Sequence, residues 1–174
     1  ETTVFNITEG ETTTIDLDIR QSSSEISVLG SFDSETIVTK DGKDVSILSQ
    51  TGRGYYVVAV LGVGQEPTNH ALHDIEKMKK AFEDWGRPVV LLFESEADAH
   101  KFNKNEFANL PSTVIYGIDK DATVRNRIAT AMKLQSKTQM PMFIIADTFN
   151  RVVFVSQGYT IGLGEQMSNV FNKL

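Results

Sequence analysis

From Tyr55 onward the chain alternates between continuous apolar segments and segments with helical spacing, and this alternation constrains the fold more than any other feature. Tyr55–Leu61 is an unbroken apolar run rich in Val, which is typical of a strand buried on both faces. In Ala71–Trp85 the apolar residues recur at spacings of three and four, which predicts a helix that ends at Gly86. The same criteria predict strands at Val89–Phe93, Ser112–Tyr116, Met142–Ala146 and Val152–Val155, and helices at Ala97–Phe102, Val124–Leu134 and Leu163–Leu174.

The resulting order, β-α-β-α-β-α-β-β-α, predicts an α/β fold with a mainly parallel central sheet flanked by helices on both faces. The last two strands are close in sequence, so they predict an antiparallel edge. Three short strand-like segments precede this unit, at Ile26–Leu29, Thr36–Thr39 and Val45–Leu48. Asp41-Gly42 lies between the last two of them and is typical of a hairpin turn.

The N-terminal residues have a different pattern. Residues 1–20 alternate apolar and polar positions around Glu9-Gly10, which predicts a β-hairpin, and Ser22–Ser24 predicts a flexible linker. We therefore predict two units: residues 1–24 form an N-terminal β-hairpin extension with its linker, and residues 25–174 form the α/β domain. Because two strands alone bury too little surface to be stable, we expect the hairpin to pack on this chain or to belong to a domain upstream. The chain begins with Glu1 rather than Met, so we also expect it to be part of a longer protein.

Composition excludes several classes of function. The 174 residues include no cysteine, which excludes thiolate nucleophiles, disulfide exchange and cysteine-ligated metals. The net charge is −6 and no block of Lys and Arg stands out, so nucleic acid is not a predicted partner. No apolar run approaches the roughly 18 residues of a membrane-spanning helix, so we predict no membrane span in this segment.

Two short motifs carry a resemblance to a known family. Gly64-Gln65-Glu66-Pro67-Thr68 follows the first core strand, and Met140-Pro141 directly precedes the strand Met142–Ala146. With the β-β-α ending and the hairpin at Lys40–Leu48, residues 27–174 resemble thioredoxin-like proteins of the TlpA and ResA type. That family carries a WCxPC motif after the first strand and a cis-proline before the penultimate one. Here Pro67 and Pro141 match the two prolines, but Gln65 and Thr68 stand where the family has cysteines and Gly64 where it has tryptophan.

The resemblance implies a thioredoxin-like fold, a location outside the cytoplasm in the periplasm or cell envelope, and a shallow groove for an extended peptide. Neither Gln65 nor Thr68 can attack or resolve a disulfide, so activity as a thiol–disulfide oxidoreductase is excluded. Backbone-driven capture of a peptide tolerates the loss of the thiols. We therefore predict a redox-inactive module that binds a protein or an extended peptide within a larger extracytoplasmic protein. The predicted groove residues are Gln65, Glu66, Pro67, Thr68, Gln139, Met140 and Pro141.

Three alternatives remain open. In the first, Pro141 serves only to shape the start of a strand. The whole chain also resembles C-terminal segments of larger secreted proteins with an upstream transglutaminase-like domain, which implies a structural spacer that packs on that catalytic domain. The third alternative is an enzyme without thiol chemistry that uses Glu66, His70 and His73, since two histidines at i and i+3 and a carboxylate are able to hold a metal. Polar residues at a helix start, with Asn69 as the N-cap, explain the same pattern, so we predict no metal and no cofactor.

Two loops contain residues that could bind a ligand or a partner. Asp119-Lys120-Asp121 is similar to the start of a calcium loop but lacks its glycine and distal glutamate, which favours a turn and a helix start. Gln157–Gly164 mixes glycines with apolar residues such as Tyr159 and Ile161. Apolar side chains in a loop indicate a surface that docks against another molecule.

Overall fold

A computed structural model describes residues 26–32, 37–134 and 139–174. The hairpin and linker expected at residues 1–24 lie outside the described residues, so the division of the chain into two units stays a prediction. Within the described ranges one sheet contains eight strands: Gly30–Ser31 (β1), Ile37–Lys40 (β2), Lys43–Ser46 (β3), Tyr56–Leu61 (β4), Val89–Phe93 (β5), Val114–Ile118 (β6), Met142–Ala146 (β7) and Arg151–Gln157 (β8). The α-helices of these ranges are Ile47–Thr51 (α1), Glu66–Lys77 (α2), Lys79–Trp85 (α3), Glu96–Lys101 (α4), Thr123–Ala131 (α5) and Leu163–Phe171 (α6).

The predicted α/β arrangement is confirmed, but the sheet is mixed rather than mainly parallel. The strand order is β1-β8-β7-β4-β5-β6-β2-β3. Of the seven strand pairs in the described part of the sheet, only β4–β5 and β5–β6 are parallel. The sheet differs from the prediction because an alternating order of strands and helices does not require every connection to be a parallel crossover. Strand β7 instead lies beside β4 and runs antiparallel to it, so α5 does not connect two parallel strands.

The centre of the sheet is buried on both faces. Every residue of β4, β5 and β7 is buried, as the continuous apolar runs predicted. Successive residues of a strand point to opposite faces of the sheet. Val57 and Ala59 therefore lie on one face, and Val58 and Val60 lie on the other. The first pair packs in the core with α2, α3 and α6, and the second pair packs in the core with α1 and α5.

One predicted helix and the second half of one predicted strand have a different structure. The predicted helix Ala71–Trp85 is two helices, which begin at Glu66 and break at Met78, whose backbone angles (φ −102°, ψ 18°) are not helical. Gly86 ends the second helix in a left-handed conformation, as predicted. The predicted strand at Val45–Leu48 is wrong in its second half: the Ser46 hydroxyl accepts a hydrogen bond from the Ser49 amide and starts α1.

The predicted strand at Ile26–Leu29 is displaced toward the C-terminus. The Leu29 amide donates to the Val152 carbonyl at 2.8 Å, but ladder pairing with β8 is confined to Gly30 and Ser31. The side chains of Val28 and Leu29 are exposed, each at 53%. Helix α5 begins as predicted, because the buried carboxylate of Asp119 accepts hydrogen bonds from the amides at the helix start.

The turn between β7 and β8 is organised by one buried carboxylate. The Oδ1 atom of Asp147 accepts hydrogen bonds from the amides of Phe149 (2.9 Å) and Arg151 (3.0 Å). Its Oδ2 atom accepts a third from the Nε of Arg151 at 2.7 Å. This turn lets β8 pair with β7. The loop between β8 and α6 therefore lies at the opposite end of the β7–β8 hairpin.

We predict that Asp147→Ala lowers the free energy of unfolding by about 2–3 kcal/mol, because it leaves two turn amides and the Arg151 guanidinium without their acceptor. Urea denaturation monitored by circular dichroism measures the change. The matched control is Asp84→Ala, whose carboxylate forms a surface ion pair with Lys80 at 2.6 Å. That control is expected to leave the stability nearly unchanged, and equal effects of the two substitutions would contradict the role of Asp147.

Candidate functional site

The loop after β4 holds the residues that match the family motif. Gln65 is the N-cap of α2, and its amide donates to the Gly62 carbonyl at 3.1 Å. Pro67 lies in the first turn of the helix, where its fixed φ suits helical geometry and its missing N–H is not needed. Gln65 and Glu66 are exposed and Pro67 is half-buried. The loop therefore presents its first two polar side chains to solvent.

Thr68, in contrast, faces inward. Its side chain is 1% exposed, and its hydroxyl accepts a hydrogen bond from the Gly62 amide at 3.0 Å. At the position where the family has its second cysteine, this chain thus has a buried polar contact that ties the loop to the start of α2. Thr68 therefore holds the loop in place, and its buried side chain is not accessible to a ligand.

The loop before β7 forms the other half of the site. The Met140–Pro141 peptide bond is cis. Both residues are buried, and the Pro141 carbonyl accepts a hydrogen bond from the Gly158 amide at 2.9 Å. Gln139 is exposed, and a Cβ added to Gly158 would lie 3.2 Å from the Gln139 Cβ. The loop that follows β8 therefore begins directly against Gln139.

The two loops meet at Gly62. A Cβ added to Gly62 would come within 3.0 Å of the Met140 Cβ and 2.6 Å of the Gln65 Oε1, so the lack of a side chain on Gly62 favours this close approach. Among the described residues, no hydrogen bond to the Met140 backbone amide or carbonyl is found. The structure thus brings the two segments of the predicted groove together at Gly62 and Met140.

A cleft of about 340 Å³ adjoins this junction and is lined by Glu66, Pro67, His70 and Tyr159. The rings of His70 and Tyr159 pack edge to face with centroids 5.4 Å apart, and the His70 Nε2 lies 3.3 Å from the Glu66 Oε1. Tyr159 is 57% exposed. Sequence reasoning identified the β8–α6 loop as a docking surface but did not place Tyr159 beside the motif, because that contact joins segments about ninety residues apart.

The two histidines of the alternative enzyme site have different partners. His70 contacts Glu66 and Tyr159, whereas the His73 Nδ1 lies 2.8 Å from the Glu76 Oε1 and its ring packs on Phe107. In the part of the chain that the structure describes, no group of three or more His, Cys, Asp or Glu side chains could hold a metal ion.

Asn69 is not the N-cap of α2. It lies inside the helix, where its amide donates to the Gln65 carbonyl at 3.1 Å. Pro67 is the reason for this difference, since it extends the helix start to Glu66, one turn earlier than the polar residues suggested.

No protein-family model matches this chain, and no curated protein matches it. Solved structures do match. A putative thiol:disulfide interchange protein DsbE from Chlorobium tepidum is 16% identical, with a TM-score of 0.58 over 83% of this chain and 96% of that one. A thiol:disulfide interchange protein from Bacteroides sp. is 18% identical, with a TM-score of 0.57 over 83% of this chain and 88% of that one. A putative protein disulfide isomerase from Bacteroides thetaiotaomicron is 16% identical, with a TM-score of 0.59 over 83% and 87%.

Likeness at these identities shows the fold: the domain is a thioredoxin-like α/β fold, as predicted. The similar structures are named for thiol–disulfide chemistry, whereas this chain has no cysteine with which to perform it. Across the described residues, no helix combines the length and apolar character needed to cross a membrane.

We predict that Thr68→Val lowers the free energy of unfolding by about 1–3 kcal/mol, because the buried Gly62 amide then has no acceptor. Thr68→Ser keeps the hydroxyl and is expected to retain most of the stability. Chemical denaturation compares the two variants with the unmodified chain. A Thr68→Val variant as stable as Thr68→Ser would show that the hydrogen bond does not hold the loop.

Proposed function

We infer that this domain is a redox-inactive thioredoxin-like module that binds an extended polypeptide in the groove between residues 64–68 and residues 139–141. The observation that carries the proposal is the Met140 main chain at the junction of the two loops, which has no hydrogen-bond partner among the described residues and lies near the exposed Gln65. Free main-chain donors and acceptors on a rigid edge bind extended peptides through backbone hydrogen bonds, without regard to cysteine.

The adjoining cleft supplies a contact for a peptide side chain. Its walls are a proline ring, an imidazole, an exposed phenol and the Glu66 carboxylate. Aromatic and proline surfaces gain free energy when an apolar side chain covers them, and Tyr159 is exposed enough to be covered. The backbone junction thus provides general affinity, and the cleft provides preference among peptides.

The setting of the domain is part of the proposal. The similar structures named as thiol:disulfide interchange proteins, together with the TlpA-like and ResA-like motifs, support a role outside the cytoplasm. We propose that the domain works within a larger protein and that its peptide ligand is a segment of that protein or of another one.

A second candidate function is a structural spacer that packs on an upstream domain. Val28 and Leu29, each 53% exposed, favour it, because they leave adjacent apolar side chains uncovered just before the edge strand β1. In this case the domain binds no free peptide, and its contact surface is the β1 edge instead of the groove.

Titration of the isotope-labelled domain with unstructured peptides of about ten residues, followed by NMR, tests the proposal. We expect amide shifts clustered at Gly64–Thr68 and at Gln139 and Met140. A control peptide with methylated backbone amides loses main-chain donors and is expected to bind roughly 5–10-fold more weakly. No shift at millimolar peptide would reject the groove and favour the spacer.

We further predict that Tyr159→Ala weakens peptide binding roughly 5–10-fold by removing one wall of the cleft. Phe149→Ala is the matched control, since Phe149 is also an exposed aromatic residue (73%) but lies in the turn at the opposite end of the β7–β8 hairpin. Isothermal titration calorimetry with the same peptide compares the two. Equal losses in both variants would place the binding surface elsewhere.

A further inference from the structure

A second cleft, separate from the groove, lies between β1 and α5 and has a volume of about 370 Å³. One wall comes from α5, where residues four positions apart stand above one another on the same face. The other wall comes from the end of β1 and the residue after it. The lining residues are Ser31, Phe32, Asn126, Arg127, Thr130 and Ala131.

The packing on either side fixes this cleft. A Cβ added to Gly30 would lie 3.2 Å from the Ala131 carbonyl oxygen, so β1 lies directly against the C-terminal end of α5. Phe32 is buried in the core beneath α5, and its amide donates to the Asn150 carbonyl at 3.3 Å. The gap between strand and helix is therefore held open by core contacts.

Arg127 carries the chemistry of the cleft. Its Nη1 atom is buried and has no hydrogen-bond partner. A guanidinium does not lose its proton in proteins, so it cannot relieve an unpaired buried position by becoming neutral. An unpaired buried donor on a charged group lowers stability unless an acceptor occupies the adjacent space.

The other arginines in the described ranges do not share this situation. Each has its guanidinium paired or belongs to an exposed residue: Arg53 is exposed, Arg87 donates to backbone carbonyls, Arg125 pairs with Glu94 at 2.6 Å and Arg151 pairs with Asp147 at 2.7 Å. Among the described residues, no acidic side chain lines the cleft that contains Arg127. The neighbouring polar groups are hydroxyls and an amide, all of which can donate hydrogen bonds.

We propose that this cleft binds the oxyanion of a small ligand, a carboxylate or a phosphate group, with Arg127 as its main partner. The planar guanidinium matches the paired oxygens of either group. Ser31, Asn126 and Thr130 supply further donors, and Phe32 and Ala131 give an apolar surface to the rest of the ligand. The site is independent of the peptide groove.

Thermal unfolding of the whole chain in phosphate, in acetate and in chloride, at one pH and one ionic strength, tests the proposal. At a concentration tenfold above Kd, the binding anion is expected to raise Tm by ~3–6 °C. Arg127→Met is expected to abolish that rise and, without the anion, to melt no lower than the unmodified chain. Whether phosphate or acetate gives the rise distinguishes the two oxyanions.

Arg125→Met is the matched control, because it lies on the same helix and changes the net charge equally, but its guanidinium is already paired. It is expected to keep the anion-dependent rise. Should Arg127→Met not fold, Arg127→Lys retains the charge, loses the planar fork and is expected to weaken binding roughly tenfold. NMR shifts at the amides of Ser31, Asn126 and Thr130 would locate the anion in the cleft.

Three results would overturn the proposal. The first is an equal rise in Tm for Arg127→Met and the unmodified chain, and the second is no rise with either anion. The third concerns Asp33 and Glu35, which follow Phe32 in the sequence and lie outside the described residues. If Asp33→Asn or Glu35→Gln lowers Tm in chloride and Arg127→Met cancels that loss, the guanidinium is neutralised within the chain.

Discussion

The burial of both faces of β4, β5 and β7 is the constraint on which the rest of the structure depends. A strand with no polar face must be covered on each side, so helices are required above and below the sheet. The pairing of β4 with β7 then places the site. Val60 lies opposite Met142 in the antiparallel register, so the end of β4 and the start of β7 fall at the same edge of the sheet. Gly62 and Met140 meet there because of that register.

The substitutions at the motif leave a well-ordered loop. Thr68 supplies a buried acceptor for the Gly62 amide, and Gln65 caps the helix by position without a side-chain hydrogen bond. The loop therefore keeps its shape by polar contacts and by the proline in the first turn of α2. A loop held in this way offers what backbone recognition needs, which is a fixed edge of main chain.

The buried charged groups of the domain differ in whether they have hydrogen-bond partners. Asp119 and Asp147 are buried, and each accepts hydrogen bonds from several backbone amides. Burial raises the pKa of Asp119, and the amides at the start of α5 oppose that rise. Among the described residues Arg127 is the exception, because its buried Nη1 atom has no hydrogen-bond partner. The contrast with the fully paired Asp119 and Asp147 makes the unpaired Arg127 nitrogen a sign of a binding site.

The sequence by itself determined the features that depend on local pattern. The apolar runs of β4, β5 and β7, the end of α3 at Gly86 and the helix start after Asp119 were all predicted, as was the exclusion of thiol chemistry. Resemblance supplied the fold, which is confirmed, and the two segments of the groove, which stay a prediction. The tertiary structure decided the direction of β7, the break at Met78, the burial of Thr68 and the contact of Tyr159 with His70. Each of these depends on which distant segment a residue packs against. The spacing of residues along the chain does not predict such long-range contacts.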